Sequence, residues 1–315
     1  DLVWQKNRST TSNHLVTDAV RGTDSQLYSS SNSAEGTLTN VLTAFSSDGF
    51  TAGTSSDFNG SGNSIITWNW KAGTTSGITT NGSTTITPSA YSFNQTAGFS
   101  ILKYSGNATA GAKIAHGLGA APELVFYKST TGGFDWLVYS KALGATKELV
   151  LNDDAASTTS DVFNDEDPTS TNLEVNTNAG NNASYDYVAY CWAPLQGYSK
   201  FGKYTGNGNA DGPFAYTGFR PAFILLKNTG SDGYWYIYDT KRTPGNSTDE
   251  FGGFLNADLT SAENVSSANQ IDILSNGFKA RTSNCDTNES GNTFIYMAFA
   301  EAPFVNSEGV PCNAR

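Results

Sequence analysis

The sequence predicts an all-β chain made of tandem antiparallel β-sandwich units of the jelly-roll or lectin-like kind. Three observations carry this expectation. Apolar segments a few residues long are spaced by turns rich in Gly, Asn and Pro, the punctuation of short strands. Helical periodicity is almost absent, and the best candidate, Ser261–Asn264, amounts to a single turn. The chain also repeats itself at a spacing of about 100 residues, longer than a solenoid repeat and close to one small domain.

The repeat is clearest around Lys203–Asp239. Lys103–Tyr104–Ser105–Gly106–Asn107 matches Lys203–Tyr204–Thr205–Gly206–Asn207, and Pro122–Lys128 matches Pro221–Lys227. Asp135–Trp136–Leu137–Val138–Tyr139 then matches Tyr234–Trp235–Tyr236–Ile237–Tyr238. Each unit closes on an apolar strand, Tyr187–Pro194 in one and Ile295–Pro303 in the other.

In chain order, residues 1–72 form a partial unit. Leu2–Lys6 has the apolar-then-Lys character of Leu225–Lys227, and His14–Asp18 stands where the third unit has Trp235–Asp239. The Asp48–Gly49 turn resembles Asn276–Gly277, each between apolar residues and each a strong hairpin signal. In Ile65–Trp70, alternation places Ile66, Trp68 and Trp70 on one face. The opening strands of this unit are missing, to be supplied from upstream or by another chain. Residues 73–97 read as a Thr/Ser/Gly-rich linker or a weak edge hairpin around Asn81–Gly82. The second unit covers 98–195, the third 196–305, and a polar tail covers 306–315.

A formal net charge of −11 and a pI near 4.6 disfavour nucleic acid and anionic membranes, which call for clustered Lys and Arg. Charged residues make up only 15% while aromatics reach 12%, so the polar richness belongs to turns and solvent faces of folded sheets. Cys191, Cys285 and Cys312 are odd in number and widely spaced, which fits neither a disulfide framework nor a zinc site. Cys191 reads as a buried small hydrophobe. No apolar run reaches membrane-spanning length. With neither a signal peptide nor an initiating Met, the chain reads as a C-terminal piece or a processed product.

Candidate chemistry is sparse. The two histidines are His14, at a packing position, and His116, in a turn ahead of a strand. Neither has a sequence neighbour that would orient it as a base. Asp153, Asp154, Asp161, Asp165, Glu166 and Asp167 offer carboxylates for glycoside hydrolysis, but a solvated loop is the simpler expectation. Asn207–Gly212 matches the first half of a calcium loop, yet Gly218 stands where a bidentate Glu is needed, so no metal and no cofactor are expected. Tyr234, Trp235, Phe134 and Trp136 are the candidate ligand-binding residues, since aromatic faces stack on sugars. The two tryptophans sit at matching positions in alternating strands, as core residues would. The turns at 130–134 and 230–234 are the better-placed recognition loops.

The set Tyr204–Gly208, Asp211–Phe214, Thr217–Ala222, Ile271–Phe278 and Ile295–Glu301, with the ending Asn306–Arg315, resembles a repeat family. That family occurs in structural proteins of tailed, often marine, bacteriophages, frequently labelled tail fibre. The resemblance implies a place on the virion and a non-enzymatic role: a tail-fibre or receptor-binding protein that contacts host surface glycans. Its expected partners are itself, as a homotrimer, and other virion proteins, with no nucleic acid and no membrane insertion. The alternatives are a capsid decoration or head-fibre protein, a polysaccharide depolymerase and a cellular adhesin.

Overall fold

The computed structural model describes residues 1–177, 180–242, 253–266 and 269–301. The chain is all-β, with 42% strand against 3% helix, in several antiparallel sheets. It forms two compact units: 1–152 with 158–193 and 258–262, and 153–157 with 194–257 and 263 onward. The first and second sequence repeats therefore share one unit, and the third has its own.

The first unit opens with β1 (Leu2–Asn7), β2 (Leu15–Asp18), β3 (Gly22–Tyr28) and β4 (Gly36–Thr37). The hairpin β5 (Leu42–Phe45)–β6 (Phe50–Ala52) turns at Asp48–Gly49 as expected; a single-turn α1 (Ser56–Asn59) and β7 (Ile65–Trp70) follow. These give a sheet in the order β4-β3-β2-β1-β7, with Leu2 opposite Trp70 and Trp4 opposite Trp68. The second repeat supplies β8 (Ala90–Asn94), β9 (Phe99–Ser105), β10 (Ala112–Ala115), β11 (Leu124–Ser129) and β12 (Leu137–Ser140). It continues with β13 (Lys147–Val150), β14 (Thr158–Thr159), β15 (Asn172–Val175) and β16 (Asp186–Trp192). Seven of these form the sheet β14-β13-β12-β11-β16-β9-β8, while β10 pairs with β15. The stretch 73–97 is not a free linker. Its β8 lines the edge of the large sheet, and Ile86 bridges to Ile114.

Alternation divides the side chains of the large sheet. Leu102, Tyr104, Val125, Tyr127, Ala189 and Cys191 point into the second repeat's own core. Phe99, Phe126 and Trp192 point the other way and meet Trp4 and Trp70: Trp70 lies 5.8 Å from Trp192, and Trp4 lies 6.5 Å from Phe126, both edge-on. Each such contact adds roughly 1 kcal/mol beyond the area it buries. This aromatic layer is why the first repeat, which lacks a counterpart to β9 beside β7, still folds within a compact unit.

The second unit runs β17 (Ser199–Thr205), β18 (Phe214–Tyr216), β19 (Pro221–Asn228), β20 (Tyr236–Asp239), β21 (Gly253–Asn256) and β22 (Asn264–Val265). Then come β23 (Ile271–Leu274), β24 (Gly277–Ala280), the single-turn α2 (Cys285–Asn288) and β25 (Thr293–Ala300). The sheets are β17-β25-β19-β20-β21-β22 and β18-β24-β23, closed over Ile224, Leu226, Tyr236, Phe254, Phe278 and Tyr296. Ser261–Asn264 is not helical; Asn264 pairs with Phe254 as an edge strand. The tail 306–315 lies outside the described residues.

Two repeats carry the same buried ion cluster. Arg21 Nε meets Asp18 at 2.5 Å and its Nη1 meets Glu35 at 2.9 Å, while Nη2 donates to the Val16 carbonyl. Arg242 does the same with Asp239 at 2.6 Å, Glu263 at 2.9 Å and the Ile237 carbonyl. Burial opposes the charge on Arg21, but Asp18, Tyr190 and Glu35 outweigh it and hold the proton more tightly than usual. In the second repeat Ser140 and Leu143 replace acid and base together. That joint loss follows from the high cost of one buried charge without the other. Arg21→Met should accordingly lower unfolding stability by about 3 kcal/mol or more in urea titrations, and adding Asp18→Asn should recover part of the loss.

Candidate functional site

Each repeat has a lysine at matching positions, Lys6 on β1, Lys128 on β11 and Lys227 on β19, followed eight residues later by His14, Trp136 or Trp235. All three lysines are buried. A buried ammonium is tolerable only if oxygen acceptors replace water. The following loop folds back to supply them. Lys6 Nζ donates to the Ser12 carbonyl at 2.8 Å, Lys128 Nζ to Phe134 at 2.8 Å, and Lys227 Nζ to Gly233. In every case the acceptor is six residues on. Each lysine also takes one carbonyl from a distant segment of its own unit: Thr260 for Lys6 at 3.1 Å, Asn32 for Lys128 at 3.1 Å and Asp154 for Lys227 at 2.5 Å. Burial pulls Lys6 and Lys128 down to about 8, so both stay protonated at neutral pH.

The loops are thus anchored from beneath, with Ser9, Thr11, Thr131, Gly133, Gly230 and Asp232 exposed on top. Trp136 and Trp235 belong to the base, each 1% exposed. Trp136 Nε1 donates to the Tyr28 carbonyl at 2.9 Å, and Lys227 Nζ lies 6.0 Å from the Trp235 ring centroid. Neither face is open for a sugar to stack on, because each ring fills the space under its loop. Phe134 is half-buried, edge-on to Tyr185 at 4.8 Å. Tyr234 alone of the four candidates is exposed.

The other candidates are absorbed locally. His14 is buried, accepts from Trp4 Nε1 at 3.1 Å and stacks on Trp68. His116 Nδ1 accepts from the Leu118 amide at 3.2 Å, which leaves Nε2 to donate to the Thr169 carbonyl at 3.0 Å. Burial brings His116 down to about 4. The acids disperse: Asp161 accepts from Asn176, Asp167 from the Tyr139 hydroxyl, and Asp153 from the amide of Ala155. In the Asn207–Gly212 turn, the Asn207 and Asn209 side-chain oxygens accept the amides of Asn209 and Asp211, and Lys279 takes the Asp211 carboxylate. Among the described residues no group of three or more His, Cys, Asp or Glu could hold a metal ion. Cys191 is buried with its thiol pushed up to about 12, Cys285 is exposed, and Cys312 lies outside the described residues. No helix is long and apolar enough to cross a membrane among the described residues. A cavity of about 440 Å³ lies in the first unit, lined by Phe45, Asp48, Phe50, Asn69, Trp70 and Lys71 among others, with no histidine in its wall.

Sequence reasoning missed Phe214 and Tyr216, which with Tyr234 are the exposed large apolar side chains among the described residues. The spacing Phe–Ala–Tyr signals that the two rings share a face. It does not signal which face of the strand looks outward.

A family model described as a domain of unknown function (DUF7483) matches residues 1–303. No curated protein and no solved structure matches the chain.

The histidine geometry yields a pH dependence. The folded state holds His116 neutral down to about pH 4, whereas the unfolded chain takes up the proton near the ordinary value of about 6.5. Its contribution is therefore complete above about 6.5, falls as pH drops toward 4, and amounts to about 3 kcal/mol at most. Urea midpoints between pH 7 and 4 should fall more steeply for the wild type than for His116→Gln; parallel slopes would contradict the assignment.

Proposed function

The chain belongs to the family described as a domain of unknown function, DUF7483, and we propose that it is a bacteriophage virion surface protein. Its role is that of a tail fibre or receptor-binding protein, assembled as a homotrimer and contacting host surface glycans. The observation that carries this is the loop construction: each repeat presents a turn whose base is fixed by a buried lysine while its upper residues face solvent. Rigid scaffolds with preorganised loops lose little entropy on binding. Multiple copies of a weak contact, in repeats and in protomers, gain by avidity. The dispersal of the carboxylates supports a binding rather than a hydrolytic role, since glycoside cleavage needs two acids facing one bond. The sequence resemblance to phage structural proteins supplies the setting.

Immunogold electron microscopy with antibody to this chain, on intact particles from its source, tests the setting. Label at the tail tip or fibres is expected. Label spread over the capsid would replace attachment by decoration, and label confined to cell surfaces would favour an adhesin.

A further inference from the structure

The three-stranded sheet β18-β24-β23 of the second unit has two unlike faces. Ala215, Ile273, Phe278 and Ala280 point into the core. On the alternate positions stand Phe214, Tyr216, Asp272 and Lys279, with Phe214 opposite Lys279 and Tyr216 opposite Gly277. Phe214 is 43% and Tyr216 57% exposed. Two large rings on open water cost stability that a polar pair would not. The fold does not require them. In the second repeat the strand matching β18 is β10, where Lys113 and Ala115 take the places of Phe214 and Tyr216, and Lys113 pairs with Glu174 at 2.7 Å.

The rings are seated rather than loose. A Cβ on Gly277 would lie 2.8 Å from two atoms of the Phe214 ring, so that ring rests on bare backbone and lies along the sheet. Lys200 Nζ sits 5.1 Å from the Tyr216 ring centroid and donates to the Tyr216 carbonyl at 3.0 Å. Around the rings stand Lys279, which pairs with Asp211 at 2.5 Å, and Arg281, which pairs with Asp272 at 3.2 Å. Lys200 has no carboxylate within ion-pair distance among the described residues.

We propose that this face is a saccharide-binding platform: a pyranose stacks on Phe214 and Tyr216, and Lys200 favours an acidic sugar. Side chains two apart on a strand are about 7 Å from each other, a span suited to one or two pyranose rings. A pyranose has an apolar C–H face for the rings and a rim of hydroxyls, each both donor and acceptor. Lys279, Arg281, Asp211 and Asp272 meet that rim with both kinds of partner. Three cations against two carboxylates, on a chain of net charge −11, make the patch locally complementary to a uronate. A second copy of so acidic a chain is the poorer electrostatic match. The platform is built from other residues than the lysine-held loops, and it rests on the function proposed above only for the source of the sugar.

The test is a glycan array bearing neutral and uronate-containing oligosaccharides, probed with the whole chain. Binding is expected, stronger to uronates and weakened at least tenfold in the Phe214→Ser, Tyr216→Ser double variant, with the surface control Lys141→Ser unchanged. Lys200→Gln should erase the preference for uronates and leave neutral binding in place. Thermal melts of the variants confirm that surface changes have left the fold intact. A double variant that binds like the wild type would overturn the platform and leave a glycan-contact role to the loops. A wild type that binds no saccharide would overturn both, and self-association lost in the double variant would assign the face to a second copy. Array binding through these rings by a protein that antibody places off the virion would sink the virion setting and spare the platform.

Discussion

A lysine ammonium sunk into a β-sandwich must find oxygen atoms to replace its water, and the rest of the structure is arranged around where it finds them. In three successive repeats the acceptors are main-chain carbonyls of the loop that follows, with one more from a segment distant in sequence. Carbonyls, unlike carboxylates, are acceptors that do not themselves titrate. They also commit the backbone, so the loop has one low-energy path between the lysine and the ring eight residues on. The ring then fills the space beneath, as Trp136, Trp235 or His14. Rigid loops follow from the need to solvate a charge.

Much of this was legible in the sequence. The fold class followed from strand length and turn chemistry, and the correspondence of β11 with β19 from the matched segments Pro122–Lys128 and Pro221–Lys227. In the structure β7 ends its sheet, where β16 has β9 beside it. The burial of the lysines was not legible. A lysine that closes an apolar strand ordinarily reaches water, and only the return of a six-residue loop over it shows otherwise. The Arg21 and Arg242 clusters escaped for a similar reason: Glu35 and Glu263 lie 14 and 21 residues from their partners, beyond any local pattern.

The aromatic residues show the same limit from the other side. On sequence alone Trp136 and Trp235 suit a sugar platform as well as a core, and they are core because the loop above each closes over its ring. Phe214 and Tyr216 carry no weightier local signal than other alternating pairs such as Trp68 and Trp70. Their exposure depends on a strand whose inward positions hold Ala215 alone, and on Gly277 leaving room for a ring to lie flat.

The central claim, that buried ammonium groups fix the loops, is open to direct observation by nitrogen-15 NMR of the lysine side chains at pH 6. Lys6, Lys128 and Lys227 should each give an ammonium signal whose protons exchange far more slowly than those of surface lysines such as Lys141, because each ammonium is buried and donates to main-chain carbonyls. Ammonium protons that exchange at surface rates in all three would mean the amines are hydrated, and the loops would then owe their shape to something else.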